Sequence, residues 1–505
     1  MQRNSRLVYS VLLFLILGSW FLAKYRLLTG LSYTSDLFGL VQSSNSYLRG
    51  RPLLSNNDFG AAGFSHNFFL LTLLGPFTYL YGAFGLLVPH FLLLTSGALL
   101  LIKRMACWPS LCFSTAILII SLFFGPISFW IWDDPIYGWH AELLYFPLIV
   151  LFVLTYQLGS RFFYFFAMLI FLNHEGGAIV AGATHMILTW DLMRQKGVSF
   201  ATTVFKTGVC GAFWAALFLF SIYLHFKVAH SYAHLRMTGA FGNLHMVLYD
   251  QEVRQTVITM FLDQIRLLAA VILPLSVIKP SYALLALFFV LPVLAVNLTG
   301  SMAYIGRENM LIHGLSWPAR FGSVWGVFCA TLLCALERKH LFEIPKRLYK
   351  NIFWICITLI TIYLQLDALK RVRNYDFTDR MTVLYSADSP HIYANRITES
   401  ERHFLDCLKL ISAKSTVALH PSLFGAFHRA DFLHVSHISK TELSPEIVIC
   451  ETANRLPFEG GCNAYLQQRV QAGWVYEAVE GVAVASEKRW SEQINTCVSS
   501  AGRKN

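Results

Sequence analysis

The chain has two textures. From about residue 7 to residue 368, apolar stretches of about 17 to 25 residues are separated by short polar bursts. That is the length a helix needs to cross about 30 Å of hydrocarbon. The pattern predicts spans at 7–23, 66–84, 86–102, 111–131, 141–158, 162–173, 176–190, 201–224, 267–279, 281–299, 316–335 and 352–368. The stretches 162–173 and 267–279 are short enough to be half-helices, so about 10–12 transmembrane helices are expected. After residue 369 the apolar runs shrink and charges spread evenly. The expected fold is an all-α polytopic membrane domain, 1–368, followed by a small soluble α/β domain, 369–505. In that tail, Thr398-Glu-Ser-Glu401 fits a capping box opening a helix to about Ala413. Thr416–Leu419, Ile447–Cys450 and Trp474–Ala485 read as strands.

Composition fits two solvents. Charged residues make up 14% of the chain and hydrophobic ones 55%, against about 25% charge in soluble domains. The net charge of +11 comes from no long basic cluster, so nucleic acid is not an expected partner and the lipid bilayer is. Basic pairs flank spans instead: Arg3 and Arg6, Lys103 and Arg104, Arg194 and Lys196, and the run Arg338 to Lys350. They place those segments in the cytoplasm. The loops 24–65 and 227–266, the segment 132–141, the turn at Glu175 and the tail then lie outside. MQRNSR followed by Leu7–Ala23 reads as an uncleaved first span, for no convincing cleavage site follows it. One conflict is visible. Residues 66–102 are too long for one crossing, yet the orientation needs an odd number there, which predicts a broken or re-entrant element near Gly75–Pro76 or Gly82–Gly85. Of ten cysteines, four are in the tail, where an oxidising compartment would allow a Cys450–Cys462 bridge.

Acids and histidines collect at the outer ends of spans. The first loop carries Asp36, Gln42 and Asn45; Ser65-His66-Asn67 stands at a span mouth. Trp132-Asp133-Asp134 leads to His140 and Glu142, and Asn173-His174-Glu175 fills a short gap. Ionisable groups at membrane depth are costly and usually functional. A shared extracytoplasmic cavity would account for all of them. Acids there suit transfer of a sugar from a polyprenyl-phosphate-linked donor. A carboxylate deprotonates the acceptor hydroxyl, and the departing phosphate needs only positive charge and hydrogen-bond donors. Arg49, Arg51, Lys227, His230, Arg236, Arg254, Arg307 and His313 are available for that role. Phosphate-loop, HExxH and GxSxG signatures are missing, which argues against an ATP-driven pump or a zinc peptidase.

The stretch Tyr33-Thr-Ser-Asp36-Leu-Phe-Gly-Leu-Val-Gln42 resembles the first-loop Y-D-L-G-x-x-x-Q element of a family of predicted bacterial and archaeal membrane proteins (domain-of-unknown-function family 2079). That family is related to the C-type glycosyltransferases, which include protein mannosyltransferases and lipid A aminoarabinose transferases. Ser65-His66-Asn67 resembles its H-F-S-P helix start, without the proline. Trp139-His140-Ala-Glu142, with Pro147, is similar to its F-H-P-E element, and His174-Glu175-Gly176 stands where K-E-D is common. Ser415-Thr-Val-Ala with Leu419-His420-Pro421 loosely resembles a tail passage S-V-A…L-x-P-H.

The resemblance covers nearly the whole chain, through short motifs. It implies a C-type glycosyltransferase fold in a bacterial inner membrane, with the tail extracytoplasmic. Asp36 would be the catalytic base, supported by Glu142 and His140. Gln42, His66, Asp133, Asp134, His174 and Glu175 would bind substrate. Losing the Lys and Asp of K-E-D passes any role in holding the donor phosphate to His174 or elsewhere. No cofactor is required, although some C-type enzymes hold a divalent cation between loop acids. Two other readings stay open. A transporter or flippase of a lipid-linked or anionic solute predicts polar residues near mid-membrane and an inverted repeat. A non-catalytic assembly partner predicts that Asp36 and Glu142 are dispensable.

Overall fold

The computed structural model describes residues 2–56, 68–108, 113–228, 246–301, 318–337 and 347–502. Within them it leaves out Leu31, Thr34, Ser35, Ile136, Tyr137, Glu175, Asn374, Ala413 and the segments 387–396, 421–422, 424–425, 428–432, 435–443 and 453–461. Six helical stretches are long and apolar enough to cross a bilayer: Leu7–Thr29, Phe84–Met105, Phe113–Asp133, Phe200–Leu224, Gln251–Ile278 and Asn351–Val372. Shorter apolar helices run Phe69–Tyr81, Ala141–Gln157, Phe162–Asn173, Pro280–Ala295 and Phe321–Leu336. The chain is thus a helical, multi-pass membrane protein with a small sheet at its C-terminal end.

The first helix, α1 (Gln2–Thr29), is followed by α2 (Asp36–Asn45), α3 (Phe69–Tyr81) and α4 (Phe84–Met105). The puzzle of 66–102 resolves here. At 1.5 Å per residue α4 is about 33 Å long and α3 only about 20 Å. Phe68, before α3, packs on His174, while Phe84, after it, packs on Tyr25 near the end of α1. Both ends of α3 therefore lie at the same end of the bundle. The break is at Gly82, whose φ of 57° a side chain would strain. A Cβ on Gly85 would lie 2.3 Å from the backbone nitrogen of Thr78, so only glycine lets α4 turn away so closely.

The next span is interrupted. Helices α5 (Phe113–Phe123) and α6 (Pro126–Asp133) flank a break at Phe124–Gly125. In an apolar interior every freed backbone group needs a partner. Gln365 supplies both, donating from Nε2 to Ser121 O at 3.1 Å and accepting at Oε1 from Ile127 N at 3.2 Å. A helical hairpin follows, a short 3₁₀ turn (Ala141–Leu144) with α7 (Tyr145–Gln157), then α8 (Phe162–Asn173). Asn173 Nδ2 donates to Ala141 O at 2.8 Å, so the hairpin leaves and returns at one level. Beyond it come α9 (Gly177–Gln195), α10 (Phe200–Val228), α11 (Gln251–Ile278), α12 (Pro280–Ser301), α13 (Pro318–Leu336) and α14 (Arg347–Arg373).

Three expectations need correction. Residues 251–266, expected in the loop 227–266, are helical and extend the span expected at 267–279. Asp250 caps them, accepting from Glu252 N and Val253 N. Glu252, Arg254, Asp263 and Arg266 hid the helix by interrupting the apolar run. Residues 24–29 of the expected first loop belong to α1, where the Lys24 and Arg26 head groups find backbone carbonyls to donate to. The boundary at 368 is also too early. Helix α14 continues to Arg373, and the segment holding α15 (Phe377–Met381) packs back on α1.

The tail is α/β, as expected. Thr398 and Glu401 exchange the two capping-box bonds at 2.8 and 3.2 Å and start α16 (Glu399–Ser412). Strands β1 (Val417–Leu419), β2 (Leu433–His434), β3 (Ile447–Glu451), β4 (Val475–Val479) and β5 (Val482–Ser486) form a sheet in the order β2-β1-β3-β5-β4. β1 is parallel to β2 and β3, while β5 is antiparallel to β3 and β4. Helices α17 (Cys462–Gln471) and α18 (Ser491–Gly502) complete it. Cys450–Cys462 is bridged, and so is Cys407–Cys497, a pairing the sequence reading did not name. The described cysteines of the membrane region, 107, 210, 329, 334 and 356, form no disulfide.

Candidate functional site

The polar groups gather where α6 ends. Asp134 closes that helix in the left-handed region at φ 43°, a conformation aspartate tolerates. Lys24 of α1, fully buried, donates to the carbonyls of Trp132 and Asp133 at 2.5 and 2.9 Å. A cation on the last carbonyls of a helix meets the negative end of its dipole. The Asp133 carboxylate is fully buried and shared. Arg380 approaches it at 2.7 Å from Nε and 3.3 Å from Nη2, Tyr33 donates at 2.8 Å, and Tyr375 at 3.0 Å. Burial, then the Asp133 charge, push the Tyr33 and Tyr375 phenols well above their ordinary value, so both remain donors. For Arg380 burial works against the charge, and Asp133 more than offsets it. Asp133 therefore fastens α1, the first loop, α6 and the segment after α14 into one clasp, and its oxygens do not face solvent.

From the clasp the chain turns through Gly138 to Trp139, which donates to His90 Nδ1 of α4 at 3.2 Å. His140 and Glu142 follow, both buried. Glu142 stands between two imidazoles: His140 Nδ1 lies 3.5 Å from Oε2 and His174 Nε2 3.6 Å from Oε1. His174 ends α8 with extended backbone and accepts from Gly176 N at its Nδ1 at 3.1 Å. Asn173 is fully buried; its Nδ2 is used on Ala141 O, while its Oδ1 has no partner among the described residues. An unsatisfied buried acceptor calls for a donor from beyond the described side chains. Among the described residues, no group of three or more His, Cys, Asp or Glu side chains is arranged to hold a metal ion.

The structure thus joins His140, Glu142 and His174, and ties Asp133 and the adjacent Asp134 to their loop. Gln42 is buried in α2, whose neighbours Ser43, Ser44 and Asn45 bond Asn56 and Thr78 of α3. Asp36 opens α2, but its side chain lies outside the described ones, as do His66 and Glu175. Among the expected cations, Arg49 bonds Asn45 and lies over Tyr79, and Arg254 bonds Leu248 O. His230, Arg236, Arg307 and His313 lie outside the described residues. Sequence reasoning missed Lys24, Tyr33, Tyr375 and Arg380. A lysine directly after the first apolar run was the available signal for Lys24, and the tyrosine opening the stretch that leads to Asp36 was the one for Tyr33; Tyr375 and Arg380 had none.

Against known protein families, curated proteins and solved structures, the chain matches none.

Proposed function

We propose that the protein is a C-type glycosyltransferase that moves a sugar from a polyprenyl-phosphate-linked donor to a cell-envelope acceptor, working on the extracytoplasmic face of a bacterial inner membrane. The observation that carries this reading is the His140–Glu142–His174 group, with the open Asn173 Oδ1 beside it, at the end of the bundle where the first loop lies. In this reading Asp36 takes the acceptor proton. His140 and His174, steadied by Glu142, donate to the departing phosphate, because Lys24 and Arg380 are committed to the clasp. The lysine role left open by the family-like K-E-D position passes to that imidazole pair. No step is routed through a metal.

Orientation follows from charge and thiols. The α7–α8 hairpin returns to its own level and α3 does not cross. If each remaining helix from α1 to α14 except the ten-residue α2 crosses, with α5 and α6 sharing one crossing, the total is odd. A cytoplasmic N-terminus then puts the tail outside. Its two disulfides suit an oxidising compartment, and Arg338, Lys339, Lys346, Arg347 and Lys350 flank the last span on the opposite side. We expect single cysteines placed in 338–346 to resist an impermeant thiol reagent on intact cells, and cysteines on the exposed face of α18 to react. The reverse pattern would overturn the orientation and the active face with it.

The function itself is tested by transfer of labelled sugar from a panel of polyprenyl-phosphate donors in membranes carrying the wild-type chain. Donor-dependent labelling of an envelope acceptor supports the enzyme. A second reading, a transporter, has one feature in its favour, the broken α5–α6 span. Movement of donor across vesicles without transfer would select it.

A further inference from the structure

We infer that the segment after α14, residues 375–384, is a strap that sets the first loop over the site, with Tyr375 and Arg380 as positioning residues. The claim about the site rests on the transferase reading; the mechanical claim does not. Two chain segments far apart in sequence meet on one carboxylate. The strap brings Tyr375 and Arg380 to Asp133, and the first loop brings Tyr33. The strap is held at its far end too, where Arg26 of α1 donates to Val383 O and Leu384 O at 2.6 and 3.0 Å.

The Tyr33 ring is confined on several sides. Lys24 Nζ lies 5.3 Å from its centre and Arg380 Cζ 5.8 Å. A Cβ on Gly138 would come within 2.5 Å of it, so the glycine is what lets the 134–140 turn close against the ring. Tyr33 stands three residues before Asp36, the start of α2, and Gly138 two before His140. The clasp thus fixes the spacing between the segment carrying Asp36 and the segment carrying His140 and Glu142. Remove the strap's two donors and Tyr33 keeps its bond to Asp133, but the carboxylate is no longer held from the other side. The first loop and the site turn can then drift apart while the helices beneath stay packed.

The test reads the first loop while changing only the strap. Leu37 of α2 is fully buried, so the L37C chain should react slowly with an impermeant thiol reagent, with the parent chain as blank. Adding R380M should speed that reaction on the order of tenfold through more frequent local opening, adding Y375F less, and adding R380K least, since lysine keeps the charge. Melting temperature and the two tail disulfides report whether the variants remain folded. Should R380M fail to accumulate, Y375F carries the test. Unchanged labelling of L37C in folded strap variants would overturn the strap. With an active wild type, Y375F should lower kcat more than it raises KM for the donor, and an equal effect on KM alone would remove the positioning role. Lack of wild-type turnover counts against the transferase reading and leaves the labelling result standing.

Discussion

Replacing Asp36 with asparagine should lower sugar transfer by about 10²- to 10⁴-fold, the usual contribution of a positioned general base, while the protein still inserts at normal abundance. Asn keeps the size and some hydrogen bonding of Asp and loses its basicity. Asp36 opens α2, and other residues seat α2: Leu37 and Leu40 are fully buried, and Ser44 and Asn45 bond Thr78. The loss should therefore fall on turnover and not on assembly. E142Q separates a second role. Glutamine still fits between His140 and His174 but carries no negative charge to steady their N–H donors, so phosphate departure should weaken and donor KM rise with the fall in kcat. Rates of labelled-sugar transfer, with wild type, D36N and E142Q at matched abundance, decide it. Wild-type activity in D36N would remove Asp36 from the mechanism. Normal activity in E142Q would reduce the imidazole pair to a packing feature.

What was legible in the sequence was whatever is local. Apolar runs of bilayer length marked α1, α4, α5–α6, α10 and α14, and the Thr398–Glu401 capping box marked the start of α16. His140, Glu142 and His174 were found because polar residues at span ends stand out against apolar neighbours. Partners remote in sequence could not be read the same way. Arg380 looks like one more loop charge until it is seen on Asp133, 247 positions away. Gln365 looks like a polar blemish in a span until it closes the break between Ser121 and Ile127. The helix 251–278 was cut short for the same reason. Asp263 pairs with Arg266 at 2.8 Å, so the charges that interrupted the apolar run partly offset each other in the fold. Where tertiary contacts satisfy a polar group, the sequence shows only its cost.

The clasp supplies the largest expected effect on stability. Asp133 is fully buried and Arg380 nearly so. Removing one partner of such a pair strands the other away from water, which costs about 3–5 kcal/mol. D133N should incur that loss, because Arg380 remains among apolar neighbours and Tyr33 and Tyr375 lose an ionised acceptor. R380M should cost a similar amount, moderated by Lys24, whose ammonium stays close to Asp133. The double variant D133N/R380M should be less destabilised than the two singles together, since neither charge is then left alone. Detergent-solubilised protein unfolded by heat gives the four midpoints. Additive losses would mean that the pair does not act as a unit, and the fastening role of Asp133 would fall with it. The pH dependence has a definite sign. Both tyrosines hold their protons more tightly folded than unfolded, so their contribution is complete below about pH 10, the ordinary phenol value. It is lost as pH rises beyond that, because the unfolded chain then releases protons the folded one keeps. Y33F/Y375F should remove that alkaline decline. A wild-type decline centred near pH 8 would assign it to another group.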